Sequence, residues 1–392
     1  MSRSELQQPV VAGIIAMVVG YTSSFAVVLT GLAAVGADRH EAASGLLALC
    51  LTQAVGVVWL SRRHRIPIVL AWSTPGAALL AGMSTVDGGW PAAVGAFMLT
   101  GAAYVLTGFW PALGRLIARI PSPIAQAMLA GVVLDLCLAP VKNLVDNPGA
   151  IVAIVLVWLV GVRLAPRWAV PAAFVAAGVV IGIDMLRRGD GIASSSLLPE
   201  LTLTWPSLTW EAVVGITLPL YIVTMASQNV PGVAIMKSLG YHVPWRDTIV
   251  TTGVATVAGA AAGGHSVNLA AISAALAAGP DAGPDKSRRW IASQSAGATY
   301  VVLAAASAAL AALVAVAPTG VIATVAGLAL LGTLADSLEG SMSQREGREA
   351  ALVTFLVAAS GISAYGIGSA AWAIVAGLVV HLVLDWSPRR RR

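Results

Sequence analysis

The chain has 392 residues, of which 58% are hydrophobic and only 10% are charged, and its mean hydropathy is +0.84. A soluble domain carries about a quarter charged residues, so this composition excludes a soluble protein and predicts one that spans a lipid bilayer. The net charge of +5 requires no nucleic-acid partner, because basic residues at a membrane surface account for it.

Apolar segments of the length that crosses a bilayer recur along the chain. They lie near residues 10–35, 42–60, 91–110, 123–141, 149–164, 169–186, 211–236, 247–262, 291–317, 319–335, 350–364 and 370–385. Two shorter segments, 66–83 and 265–279, are interrupted by polar residues, glycine or proline. We therefore predict an all-α polytopic membrane protein with 14 transmembrane segments.

The basic residues indicate the orientation of these segments. If the N-terminus is cytoplasmic, 19 of the 23 Lys and Arg residues lie on the cytoplasmic side, including those of the 62–65 cluster and the terminal run 389–392. Cytoplasmic loops of membrane proteins are enriched in Lys and Arg. We therefore expect both termini to be cytoplasmic.

The second half of the chain echoes the first at an offset of about 200 residues. Residues 175–180 match 374–379, and Tyr21 in the first span corresponds to Tyr221. Seven spans in each half are an odd number, so the second half must cross the membrane in the opposite sense. The sequence thus predicts 7+7 inverted repeats, an architecture that recurs in secondary transporters.

The third span of the first half, residues 66–83, has the pattern of a short strand followed by a half-helix. Residues 66–72 favour extended backbone because they are rich in β-branched and aromatic side chains. Ser73 then supplies a hydroxyl N-cap, and Pro75 stands at the predicted start of the helix. We expect this half-helix to end near Gly82.

The corresponding span of the second half, residues 265–279, follows two glycines. We expect extended backbone over 263–267, after which Ser266 or Asn268 caps a second half-helix. Inversion would point the N-termini of both half-helices at the membrane centre, where unpaired N–H groups attract anions. Paired interruptions of this kind are the best indication that a sequence gives of a transporter's binding site.

The candidate site residues are the polar side chains and glycines of these two interrupted spans and of the first span of each half. The predicted substrate-binding residues are Tyr21, Ser24, Ser73, Thr74, Gly76, Gln228, Asn229, Gly264, His265, Ser266 and Asn268. Interhelical hydrogen bonding is the alternative role of Gln228 and Asn229. Hydrogen bonding back to its own helix is the alternative for Ser24.

His265 is the candidate for proton coupling, because it is the titratable side chain closest to the predicted membrane centre and histidine changes charge at physiological pH. The alternative is a neutral histidine that the backbone satisfies. The chain carries no His-Glu-x-x-His motif and no phosphate-binding Gly-x-x-x-x-Gly-Lys motif. We expect neither an enzyme nor a cofactor or metal.

Three motifs together resemble the BenE family of benzoate:proton symporters over essentially the whole chain. They are Ser73–Gly76, Ala226–Gly232 and Gly263–Ala271. The resemblance implies a transporter of the bacterial cytoplasmic (inner) membrane that imports benzoate or a related aromatic carboxylate with a proton by alternating access. Its partners would be that substrate, the proton and the lipid bilayer, and association into a homodimer stays open.

More distantly, the chain is similar to the uracil:proton symporter fold, in which spans three and ten hold short antiparallel strands and a core domain slides against a gate domain. That similarity implies core domains at 1–112 (spans 1–4) and 208–317 (spans 8–11), and gate domains at 113–207 (spans 5–7) and 318–392 (spans 12–14 and a basic tail).

The chain departs from the nucleobase carriers of that fold at one chemically important place. Those carriers have glutamates in spans eight and ten, whereas this chain has Gln228 and no acidic residue over 263–279. A buried glutamate would repel a carboxylate substrate, so the absence favours an anion. The alternatives are a small-anion channel or facilitator, and a carrier of a neutral ring such as a nucleobase.

Overall fold

The computed structural model describes residues 3–83, 86–110, 112–113, 121–189, 191 and 197–385. The basic run at 389–392 lies outside them. The described part of the chain is mainly helical, with one two-stranded sheet. This confirms the predicted class of a polytopic, helical membrane protein.

In the first half, long helices precede and follow a short strand–helix unit. The elements are α1 (Arg3–Ala34), α2 (Arg39–His64), β1 (Leu70–Trp72), α3 (Thr74–Ala81), α4 (Gly89–Phe109), α5 (Ser122–Lys142), α6 (Pro148–Leu164), a 3-10 turn (Pro166–Trp168) and α7 (Ala169–Arg188).

The described elements of the second half also begin with two helices and a strand–helix unit. They are α8 (Trp210–Ser238), α9 (Trp245–Ala260), β2 (Val267–Leu269), α10 (Ile272–Ala278), two 3-10 turns (Pro280–Ala282 and Lys286–Arg288), α11 (Trp290–Ala304), α12 (Ser307–Ala315), α13 (Val321–Met342), α14 (Arg348–Ala359) and α15 (Ser369–Asp385). Two π-helical turns, Val213–Thr217 and Met225–Asn229, interrupt α8.

Seven of the described helices are long and apolar enough to cross a bilayer, namely α1, α2, α4, α5, α7 with its preceding 3-10 turn, α8 and α13. The stretch from Lys286 through α11 and α12 makes an eighth if these helices, which meet at a bend of 50°, form one span. Helices α6 and α15 are apolar but shorter. Large hydrophobic side chains such as Val55 and Leu186, 71% and 84% exposed, cover the outer surface. Lipid-facing helices require such a surface.

Glycines allow helices to approach closely around the central sheet. Gly101 of α4 and Gly253 of α9 face each other's backbone: a Cβ atom at either would lie within 2.8 Å of the other's carbonyl oxygen. A Cβ atom at Gly31 of α1 would lie 2.4 Å from the Ala77 oxygen of α3. Small residues at helix contacts are how membrane helices gain close packing. These contacts hold α3 and α9 against their neighbours and leave little room for substitution.

The two strands pair in antiparallel register. Leu70 lies opposite Leu269, and Trp72 lies opposite Val267. Because each strand leads into a short helix, the antiparallel pairing sends α3 and α10 away from the sheet in opposite directions. Helix α3 begins directly after its strand with Ser73 as N-cap, as the sequence predicts.

The second half-helix begins later than the sequence predicts. Helix α10 begins at Ile272, with Ala271 at the N-cap position and no side-chain cap, so neither Ser266 nor Asn268 caps it. The expected extended piece at 263–267 is also displaced, because the strand occupies Val267–Leu269. Pairing with β1 keeps this backbone extended through Leu269, and a helix can start only after it.

Candidate functional site

The sheet lies in the buried centre of the protein, and side chains of neighbouring helices satisfy its outer edges. Leu70 and Val267 are fully buried. The Tyr300 hydroxyl on α11 donates to the Leu70 oxygen at 3.1 Å, and the Thr256 hydroxyl on α9 accepts the Val267 N–H at 3.0 Å. Irregular backbone at membrane depth is tolerated only where protein or a cavity supplies such partners. The sheet is therefore held in place by the helices around it.

Asn229 attaches α8 to the second strand. Its side chain is fully buried, and its Oδ1 atom accepts the Leu269 N–H at 2.9 Å. Its Nδ2 atom donates to the Met225 sulfur at 3.3 Å. Asn229 ends the π-helical turn that begins at Met225, a distortion that is frequent at functional sites. Gln228, the other predicted amide, is half-buried on the same turn.

A group of buried hydroxyls lies where the two interrupted segments meet. The Ser73 hydroxyl oxygen accepts the Gly76 N–H at 3.0 Å and so caps α3. The same oxygen is 2.7 Å from the Thr224 hydroxyl of α8. The Ser73 backbone N–H donates to the Ser266 carbonyl oxygen at 2.8 Å. The Ser266 hydroxyl is 2.8 Å from the phenol oxygen of Tyr104 on α4. All four hydroxyl side chains are fully buried, so this network joins α3, α4, α8 and the segment before β2.

Aromatic side chains connect α1 to the first strand. The Trp72 indole N–H donates to the Ser24 hydroxyl at 2.9 Å. The Trp72 ring packs edge-on against Tyr21 with the ring centroids 5.3 Å apart, and Tyr300 lies at 6.4 Å on a tilted plane. Two predicted residues of α1 therefore contact the sheet through a tryptophan that was not among the predicted site residues.

His265 is fully buried just before the second strand. Its Nδ1 atom accepts the Ser266 N–H, so the proton of the neutral ring belongs on Nε2. The Nε2 atom has no hydrogen-bond partner among the described residues, and the Phe97 ring lies edge-on with its centroid 6.5 Å from that of the histidine. The Oδ1 atom of Asn268 is likewise buried without a partner in the described structure. An unpaired buried polar atom is costly, and each such atom needs an explanation.

The polar groups around the sheet are uncharged. Among the charged side chains that the structure describes, Arg289 is the buried one, and it binds backbone oxygens near the end of α10 rather than the sheet. Asp135, which the sequence places in a span, pairs with Lys142 and is exposed. Within the described ranges, no group of three or more His, Cys, Asp or Glu residues could hold a metal ion.

The structure brings most of the predicted residues to the sheet, and it adds several that the sequence did not single out. Thr74 and Gly76 form the first turn of α3, and Gly264 is buried beside His265. The residues missed are Trp72, Tyr104, Thr224, Thr256 and Tyr300. A phenol or hydroxyl within an apolar span is the available signal, because it needs a partner when buried.

The chain is similar to known proteins over nearly its whole length. A family model described as "Benzoate membrane transport protein" (BenE) matches residues 5–383. "Inner membrane protein YdcO" of Escherichia coli (strain K12) is 37% identical over 387 residues, which cover 97% of each chain. The "Benzoate membrane transport protein" of Acinetobacter baylyi is 28% identical over 374 residues, which cover 95% of this chain and 94% of the relative.

Solved transporter structures share the fold. The transmembrane domain of the cyanobacterial bicarbonate transporter BicA matches with a TM-score of 0.62 and 15% identity, covering 96% of this chain and 98% of that domain. SLC26A9 matches with a TM-score of 0.61 and 13% identity, covering 97% of this chain and 66% of that one. At such identities the likeness shows the fold alone. The family match spans nearly the whole sequence, and the chain therefore belongs to the BenE family of benzoate membrane transport proteins, which are transporters and not enzymes.

Proposed function

We propose that the protein is a secondary active transporter that imports benzoate or a related aromatic carboxylate together with a proton. The observation that carries the proposal is a buried, uncharged set of hydroxyl and amide groups around the strand pair of a BenE-family chain. Hydroxyls and amides donate to a carboxylate without placing a like charge beside it. The name of the Acinetobacter baylyi relative supports the substrate class.

The proposed substrate site is the set of residues that the sequence singled out, with Thr224 and Tyr104 added. The hydroxyls of Ser73 and Ser266 are hydrogen-bonded to other hydroxyls, and a hydroxyl can both donate and accept. A bound carboxylate would accept the hydroxyl proton that is otherwise shared within each pair. The other hydroxyl of the pair would still have an oxygen to which it can donate. Trp72 offers an aromatic surface at the adjacent strand, where ring packing adds to hydrophobic burial.

Two routes for the proton remain in this proposal. His265 is the proposed carrier, because its Nε2 atom is buried without a partner in the described structure. Alternatively, the substrate enters as the neutral acid. Both routes remove a charge that would otherwise be buried at high cost.

The proposed architecture has 14 crossings in two inverted halves, with both termini in the cytoplasm of a bacterial cell and the chain in its inner membrane. Helices α5, α6 and α7 begin at residues 122, 148 and 169, and α13, α14 and α15 begin about 200 residues later, at 321, 348 and 369. Antiparallel pairing of β1 with β2 is what a two-fold axis in the membrane plane would produce. The name of the Escherichia coli relative supports the membrane assignment.

Packing supports the proposed division into core and gate. Helix α4 packs on α9, and both fall in the core at 1–112 and 208–317. Helix α5 packs on α13 and α14, and all three fall in the gate at 113–207 and 318–392. Each proposed domain therefore combines helices of both halves, and sliding of one domain against the other would expose the site alternately to the two sides.

The test is uptake of labelled benzoate into proteoliposomes with an inward proton gradient. Benzoic acid crosses lipid by itself when neutral, so the assay is run near pH 7.5, where on the order of 0.1% of a simple carboxylic acid is neutral. Protein-free liposomes measure the remaining leak. We expect saturable, concentrative uptake that an uncoupler abolishes, and equilibration without concentration would refute symport.

The channel alternative is distinguished by its electrical behaviour. Symport of one proton with one monovalent anion moves no net charge, so a potassium–valinomycin potential should leave uptake unchanged. A channel would conduct a potential-driven anion current and show no counterflow exchange. Competition by uracil, but not by benzoate, would instead favour a carrier of neutral rings.

A further inference from the structure

A groove on the outer surface between α2 and α11 has a largely apolar lining and an arginine pair at one end. Its volume is about 680 Å³. Its lining includes the small residues Ala54, Gly297 and Ala298 and the larger side chains Val55, Trp59 and Val301. The three larger side chains are 71%, 54% and 52% exposed, so the groove opens toward the lipid.

Close helix packing fixes the shape of this groove. A Cβ atom at Gly297 would lie 2.6 Å from the Val58 side chain, so α11 touches α2 there and the alanines beside it leave a depression. At the arginine end, the Gln294 side-chain amide donates to the Val58 oxygen at 3.1 Å and to the Ser61 hydroxyl at 2.6 Å. The two helices are therefore joined along the groove rather than free to close it.

Positive charge is concentrated at one end of the groove. The Arg63 guanidinium lies 5.5 Å from the centre of the Trp59 ring and pairs with Asp247 of α9 at 3.2 Å. Arg62 is exposed, and no carboxylate in the described part of the chain pairs with it. Among the described residues, Arg62 is therefore a cation without a paired carboxylate, and it lies beside the apolar groove.

We propose that this groove binds an anionic phospholipid, with one acyl chain along the apolar lining residues and the phosphate on Arg62. From Ala54 to Arg62 the helix rises about 12 Å, close to half of the roughly 30 Å hydrocarbon core. The groove therefore matches one leaflet, and under the proposed topology that leaflet faces the cytoplasm. Basic pockets between membrane helices on this side bind anionic headgroups. The inference is independent of which substrate the protein carries.

The test is native mass spectrometry of the detergent-purified protein titrated with phosphatidylglycerol or phosphatidylcholine. Arg62→Gln removes the cation without a paired carboxylate among the described residues, and Ala298→Phe places a large side chain in the groove from an exposed lining position. Arg345→Gln is the matched control, because it removes an exposed arginine of the same proposed face outside the groove. We expect wild type and the control to retain phosphatidylglycerol at least fivefold better than phosphatidylcholine, and both groove variants to lose that preference.

Several outcomes would overturn the proposal. One is equal lipid retention in wild type, Arg62→Gln and Arg345→Gln. Another is displacement of the bound lipid by glycerol phosphate, which would assign the site to a soluble anion. A third is a loss of dimer mass in Ala298→Phe with lipid binding unchanged, which would make the groove a contact between two copies. Unfolding temperatures, measured in the same detergent without added lipid, confirm that the variants are folded before their lipid binding is compared.

Discussion

Replacing Asn229 with leucine is expected to weaken substrate binding by detaching α8 from the second strand. The two side chains are similar in size, so the substitution removes the acceptor while it largely keeps the packing. Asn229 Oδ1 is the acceptor of the Leu269 N–H at 2.9 Å, and both groups are fully buried. Without it, the Leu269 N–H stays in a dry interior with no partner.

The size of the effect of Asn229→Leu follows from the Leu269 N–H, which the substitution leaves without an acceptor. Leaving a buried polar group unsatisfied costs about 1–3 kcal/mol, and the weak Met225 contact adds little. If displacement of β2 takes up the cost, benzoate affinity falls by about 5- to 150-fold. If the whole fold takes it up, the unfolding temperature falls instead. Equilibrium binding of labelled benzoate and thermal unfolding of the same preparation separate the two outcomes.

Two control variants sharpen this experiment. Asn229→Asp keeps an oxygen acceptor at the same place but adds a carboxylate, so it should fold normally and bind benzoate less well than wild type. The loss relative to wild type should be larger at pH 8 than at pH 5, where protonation reduces the repulsion. Asn143→Leu removes an amide that binds its own helix at the Ala139 oxygen, and it should leave affinity unchanged. Affinity within twofold of wild type in Asn229→Leu, with unchanged unfolding, would refute the role given to this hydrogen bond.

Three further substitutions test other parts of the site. Tyr104→Phe removes the hydroxyl that contacts Ser266 and should lower benzoate affinity about fivefold in exchange assays, corresponding to about 1 kcal/mol. Unchanged affinity would show that the Tyr104 hydroxyl has no role in benzoate binding. His265→Ala should reduce proton-driven accumulation more than benzoate exchange, and equal losses would assign His265 to binding or structure. Arg289→Met removes charge-assisted bonds to two backbone oxygens, including that of Ala278 at 2.7 Å, and should cost about 3 kcal/mol or more in thermal unfolding; an unchanged midpoint would contradict this.

Local signals made the first interrupted segment predictable, and a long-range contact made the second one less so. Ser73 and Pro75 identify the start of α3 by themselves, because capping and proline preferences act within one turn. The start of α10 depends on β2 pairing with β1, almost 200 residues away, and no local residue announces it. Sequence reasoning therefore located both breaks but began the second helix too early.

The missed hydroxyls show a related limit. Tyr104 and Ser266 are separated by 162 residues, so neither can be recognised as the other's partner from spacing. The π-helical turn of α8 has a partial signal in the sequence, because Pro231 lacks the N–H to which the carbonyl four residues earlier would bind. A missing N–H of this kind disturbs the helix backbone over the preceding turn, here around Asn229. It gave no indication that the amide would reach the Leu269 N–H.

The pairing of the buried hydroxyls bears on how a carboxylate could be carried without a buried acid. Ser73 is hydrogen-bonded to Thr224, and Ser266 is hydrogen-bonded to Tyr104. Each pair holds a hydroxyl proton that can turn toward an anion, so the proposed site needs no titration to switch between empty and loaded. A glutamate at this place would have to be protonated before every carboxylate entered. Proton coupling in the proposed mechanism therefore falls on His265 or on the substrate itself, and the comparison of His265→Ala in accumulation and exchange decides between them.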